Sequence, residues 1–164
     1  MPTDPTDWEK ARMHKALRYF DELSQAFDPI IGNFNSNYSD DMDRIHRIDP
    51  KPILSEAELR TDGRMRLFQC RTCFLKVVFE GAGSILMGWG YWVPGTDEIR
   101  FPDVNRLLLN TANEWQLYRF HEDVAQREHV EGANTLPYHV AKSLIERLAE
   151  IASTPPELAT SLAL

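Results

Sequence analysis

The chain has 164 residues, of which 43% are apolar and 26% charged; this is the composition of one ordinary globular domain and excludes a collagenous or disordered chain. Lys and Arg total 18 against 25 for Asp and Glu, giving a net charge of -7 and a pI near 5.2, so the average field repels nucleic acid and anionic membrane. No run of about 18 apolar residues marks a membrane span, and Met1 to Pro5 lacks the basic and apolar regions of a secretory leader, so a cytoplasmic protein with a single domain over residues 1–164 is expected.

Thr6 and Glu9 have the spacing of a capping box. Met13, Ala16, Leu17, Phe20, Leu23 and Phe27 then recur at three- and four-residue steps, which predicts an N-terminal helix ending before Pro29. Residues 30–58 sustain neither the helical nor the strand period and read as an irregular loop, with an acidic cluster at Asp40, Asp41 and Asp43. Asp62-Gly63 offers a turn into the β-branched and aromatic stretch Arg64 to Glu80, one bent strand or two.

After Gly81-Ala82-Gly83, the alternation of Ile85, Met87, Trp89, Tyr91 and Val93 predicts a central strand with one wholly apolar face. Gly88 and Gly90 on its other face allow a close approach, read as a crossing helix. A short extended piece follows at Ile99 to Phe101. Pro102-Asp103 then resembles a helix start, with Val104, Leu107, Leu108 and Ala112 as the buried stripe and Leu109 as surplus apolar surface, so a middle helix is expected over 103–113.

Trp115 to Glu122 reads as a strand with Trp115 and Leu117 on one face and Tyr118 and Phe120 on the other, and Gln126 to Glu131 as a shorter edge strand. Thr135 and Pro137 open a closing helix with the stripe Val140, Ala141, Leu144, Ile145, Leu148 and Ile151; Pro155-Pro156 stops it, leaving residues 153–164 as a tail. The expected fold is α+β with a core over about residues 7–152: an N-terminal helix, an antiparallel sheet of about five strands, a middle helix and a C-terminal helix, in the order α-β-β-β-α-β-β-α.

No residue pattern specifies a chemistry. Cys70 and Cys73 have knuckle spacing without a second pair of ligands and lie in a segment that reads as strand, so they are expected to be packed and inert. His121 and His129 could oppose each other across a hairpin, which would make only a weak metal site. The aspartate cluster lacks the alternating oxygen ligands of a calcium loop, and no glycine loop or serine elbow is present. A non-enzyme without metal or cofactor is expected. Arg60, Arg64, Arg66, Arg71 and Lys76 gather charge near Phe68 and Phe74, a combination able to hold single strands; against the net acidity, nucleic-acid binding is not expected.

Leu107-Leu108-Leu109-Asn110-Thr111-Ala112-Asn113, followed by paired strands and an amphipathic helix, resembles the C-terminal half of the YbjN-like family, whose fold is similar to that of the type III secretion chaperones. The resemblance at sequence level covers residues 104–152. It implies a non-catalytic, chaperone-like or adaptor protein, a homodimer that binds segments of partner proteins, with helix 103–113 as the expected dimer or partner surface. Leu109, Trp89, Trp92, Trp115 and Tyr118 are the candidate surface residues, because large apolar and aromatic groups supply most interface energy. Two other readings remain: a small ligand-binding or enzymatic domain with a pocket of Trp89, Tyr91, Trp115 and His121, and an acidic immunity or antitoxin protein using Asp40 to Asp43.

Overall fold

The computed structural model describes residues 7–48, 64–81, 83–121 and 127–153. Within them the chain is α+β: helix α1 (Asp7–Asn35), a 3-10 turn (Asp41–Asp43), strands β1 (His46–Ile48), β2 (Met65–Cys70), β3 (Cys73–Gly81), β4 (Ser84–Trp92), β5 (Ile99–Leu109), β6 (Trp115–His121) and β7 (Arg127–Val130), and helix α2 (Pro137–Ser153). The strands form one antiparallel sheet in sequence order, β1 to β7. The expected capping residue Thr6, residues 49–58 of the expected loop, the expected Asp62-Gly63 turn and residues 154–164 of the expected tail 153–164 lie outside the described residues, and Ser153 closes α2.

Strand alternation divides the sheet into two faces. Phe68, Cys70, Cys73, Leu75, Val77, Phe79, Ile85, Met87, Trp89 and Leu107 form the floor of the main core; Ala16, Tyr19, Phe20, Leu23 and Phe27 of α1 and Val140, Ala141, Leu144, Ile145 and Leu148 of α2 form its roof. Both helices therefore lie on the same face, packed against each other. Phe27 meets Phe68 at 4.6 Å, and Tyr19 meets Trp115 at 4.6 Å, so α1 spans the sheet from β2 to β6.

The helix α1 continues for 29 residues through Pro29 instead of ending before it. Its last turns remain helical because Ile30, Ile31 and Phe34 pack on the core and Asn35 is clamped to β1's approach. The Asn35 amide donates to the Ile45 carbonyl (2.9 Å) and its Oδ1 accepts from the Ile45 N–H (2.8 Å). Burial and the clamp outweigh the one backbone bond that proline removes.

The largest correction concerns residues 103–113, where the expected middle helix is instead the second part of the eleven-residue strand β5 (Ile99–Leu109), whose start at Ile99 to Phe101 is extended as expected, followed by the β5–β6 turn. Val104, Leu107 and Leu108 fit a helical stripe, but they fit strand alternation equally, and pairing with both β4 and β6 decides the case. Among the described residues the sheet has seven strands rather than about five, because β5 replaces the expected helix and β1 forms within the expected loop 30–58, into which α1 also extends; the helices number two. The expected order α-β-β-β-α-β-β-α is matched only at its ends, with α1 before β2 to β4 and α2 after β6 and β7; in the middle β5 replaces the expected helix.

Gly88 is covered by the Lys76 side chain of β3 and the Phe101 ring, and Gly90 by Arg100 and Phe101 of β5; among the described residues no helix crosses there. The β4–β5 ladder is interrupted between Trp89 and Tyr91, where Asp103 and Arg100 are the partners, so Phe101 and Pro102 bulge opposite Gly90. A Cβ at Gly90 would fall 2.2 Å from the Arg100 carbonyl oxygen and 2.7 Å from the Phe101 ring. Pro102 is accommodated because a bulge position has no ladder N–H to supply.

Asn110 and Asn113 belong to the β5–β6 turn. Asn110 Oδ1 accepts from the N–H groups of Ala112 and Glu114, both at 2.9 Å, and Asn113 takes a left-handed φ of 60°. Arg12 of α1 donates to the carbonyls of Leu109 (a short bond) and Asn110 (2.7 Å), fastening the start of the helix to this turn.

Candidate functional site

The sheet's second face carries no helix among the described residues. It presents Met65 and Leu67 on β2, Phe74 and Val78 on β3, Leu86 and Trp92 on β4, Phe101, Val104 and Leu108 on β5, and Tyr118 and Phe120 on β6. Leu67 and Phe74 are fully buried, with the Phe74 ring edge-on to Trp92 at 5.5 Å. From Leu86 outward the apolar residues are only half-buried, so a band of aliphatic and aromatic groups on β4, β5 and β6 remains in contact with solvent.

Cationic side chains lie over this band. Lys76 Nζ stands 4.2 Å from the centre of the Phe101 ring, and the Arg106 guanidinium lies 4.7 Å from that of Phe120. Arg106 also pairs with Glu80 at 2.8 Å, and the Ser84 hydroxyl donates to the same carboxylate oxygen at 2.8 Å. The stems of such residues cover apolar surface while their heads stay in water.

At the end of the band, where α1 begins, a groove of about 480 Å3 opens between Trp8, Arg12, Leu108, Gln116 and Tyr118. Trp8 is half-exposed, and Arg12 lies 5.3 Å from its ring centre. The groove joins the end of the β5–β6 hairpin to the start of α1, so one bound segment could contact both.

The five surface candidates read from the sequence separate across the sheet. Trp92 and Tyr118 lie on the second face, half-buried. Leu109, Trp89 and Trp115 do not: Leu109 is 3% exposed and its Cβ abuts Gly83, Trp89 is 4% exposed and its indole N–H donates to the Leu144 carbonyl (3.3 Å), and Trp115 packs on Tyr19. Leu109 is thus a core residue. Phe101, Val104, Leu108, Phe120 and Trp8 were missed; reading 104, 106 and 108 with period two would have found three positions on the second face, two of them apolar.

Other sequence candidates are also relocated. Trp89, Tyr91 and Trp115 belong to or pack on the main core, and Trp115 also borders a cavity of about 190 Å3 with Leu117, His129 and Val130, which Trp89 and Tyr91 do not line. His129 faces Tyr118 and stacks on it at 4.9 Å, whereas His121 is in backbone register with Asp103, so the two histidines are not cross-strand partners. Among the described residues no three His, Cys, Asp or Glu side chains converge as metal ligands.

Phe68 and Phe74, the proposed stacking partners for nucleic-acid bases, are buried on opposite faces of the sheet. Arg60 lies outside the described residues, and Arg71 is engaged by Asp43 (2.6 Å) and the Ala152 carbonyl (3.2 Å). Asp43 therefore serves as an internal tether between the 3-10 turn and the β2–β3 turn. Cys70 and Cys73 are buried free thiols facing each other across that turn, and burial pushes both up from their ordinary pKa.

No family model, curated protein or solved structure matches this chain. No helix among the described residues is long and apolar enough to cross a membrane.

Proposed function

We propose that the protein is a non-catalytic protein-binding module, chaperone-like or adaptor in role, that receives an apolar segment of a partner on the β4–β6 part of its second face. One observation carries this reading: both helices roof one face, while Leu86, Trp92, Phe101, Val104, Leu108, Tyr118 and Phe120 keep half-buried apolar surface on the other. A contiguous patch of this kind marks a site of association.

A photo-crosslinking amino acid at Leu108 tests the reading against the same group at the exposed Lys142 on α2. Adducts formed from position 108 in native extract, and not from position 142, support it. An adduct of twice the chain mass identifies the partner as a second copy, as the expected homodimer requires. Equal yields from both positions, or none from position 108, reject this face as the binding surface.

A further inference from the structure

Three arginines share the helix-covered side of the sheet at its β1–β2 edge. Arg47 stands opposite Phe68, Arg66 opposite Val77, and the Arg64 carbonyl accepts from the Phe79 N–H at 2.9 Å, so all three positions face α1. The Arg66 guanidinium lies 5.4 Å from the Phe20 ring centre and that of Arg64 lies 5.9 Å from Phe79. Those two rings meet edge-on at 5.8 Å, so the two cations bracket one aromatic pair.

Arg66 is incompletely satisfied there. Its Nη1 donates to the adjacent Met65 carbonyl at 2.8 Å, while Nε is buried without a hydrogen-bond partner. Ser24, one turn beyond Phe20 on the same side of α1, likewise has a buried hydroxyl without a partner. Burial first, and then the charge of Arg47 and Arg64, pushes the Arg66 guanidinium below its ordinary value; Asp21 acts in the opposite sense. In a chain of net charge -7, this is a local surplus of positive charge.

We propose that the seam between α1 and the β1–β2 edge binds a phosphate-type oxyanion through Arg47, Arg64 and Arg66. A guanidinium presents paired N–H donors that match such an oxyanion, and a doubly charged anion relieves the mutual repulsion of several cations where one carboxylate would relieve it in part. Arg66 reaches the ligand by rotating off Phe20, which frees Nε from its unpartnered position. The site lies on the helix-covered side of the sheet and is independent of the partner-binding face.

Thermal unfolding of the full chain in inorganic phosphate against chloride at matched ionic strength is the test, with calorimetric titration for affinity. Phosphate at ten times its dissociation constant is expected to raise Tm by about 3 to 6 °C. The double variant Arg47→Gln with Arg64→Gln should bind about tenfold more weakly or worse. Should that variant fail to fold, Arg47→Gln alone, at an exposed position, must still weaken binding. N-acetyl-phosphoserine amide separates the sources: tighter binding than inorganic phosphate assigns the anion to a phosphorylated chain, and weaker binding assigns it to the free ion. Equal Tm in phosphate and chloride overturns the proposal, and so does a phosphate response undiminished by the arginine substitutions.

Discussion

The two faces of the sheet are built from the same strands but hold different kinds of apolar surface. On the roofed face, Phe68, Leu75, Val77, Ile85, Met87 and Leu107 are nearly inaccessible beneath α1 and α2. On the second face Met65, Leu67, Phe74 and Val78 are buried, and burial becomes only partial at Leu86, Trp92, Phe101, Val104, Leu108, Tyr118 and Phe120 across β4, β5 and β6. A roofed residue contributes chiefly to stability, whereas a partly exposed one contributes less to folding and retains surface for association. Substitutions on the two faces should therefore separate stability from binding.

The largest effect is expected at the roofed face. Phe20→Ala or Phe68→Ala should each cost about 3 to 5 kcal/mol in urea unfolding, because a fully buried ring leaves a cavity that the surrounding side chains fill only in part. Leu109→Asp sharpens the contrast. A carboxylate placed against Gly83 at a 3% exposed position should unfold the chain rather than split an assembly, which circular dichroism and light scattering distinguish.

Gly90→Ala probes the bulge that holds Phe101 on the second face. The added methyl meets backbone, which cannot swing aside, so a loss of about 1 to 3 kcal/mol is expected. A neutral result would mean that the β5 bulge relaxes readily. At the second face itself, Val104→Glu and Leu108→Glu should each change stability by less than about 1 kcal/mol. The same two substitutions should abolish crosslinking from this face. A large stability loss at Leu108 would break the proposed division of labour.

The smallest effect concerns the two thiols on the roofed side. Burial raises the pKa of Cys70 and Cys73, so less thiolate is present at pH 8 than for an exposed cysteine, and both should resist alkylation by iodoacetamide until the chain unfolds. Rapid modification under native conditions would show that the roof opens at the β2–β3 turn.

Much of the architecture was legible in the sequence. The α1 stripe from Ala16 to Phe27, the alternation from Ile85 to Tyr91, the opposite faces of Trp115 and Tyr118, and the stripe of α2 all correspond to observed elements. Each has a long period or a clear start signal. The failures fall where two periods fit the same letters. Residues 104 to 109 satisfy a helical stripe and strand alternation alike, and Pro102-Asp103 resembles a helix start as readily as it fits a bulge.

The candidate surface was half legible for the same reason. Once β5 was read as a helix, Leu109 became surplus and Leu108 became core, which inverts their observed exposure. Trp92 and Tyr118 were recoverable because both lie on strands whose alternation was already assigned.

The sequence alone determined the class of fold, the two amphipathic helices and the identity of most apolar groups, because periodicity and local turn chemistry act within a few residues. Only the tertiary structure decided that residues 103–109 are part of a strand, that both helices share one face and that Leu109 is buried. Those outcomes depend on backbone pairing of β5 with β4 and β6 and on which surface the helices cover, and neither contact is encoded in a local window.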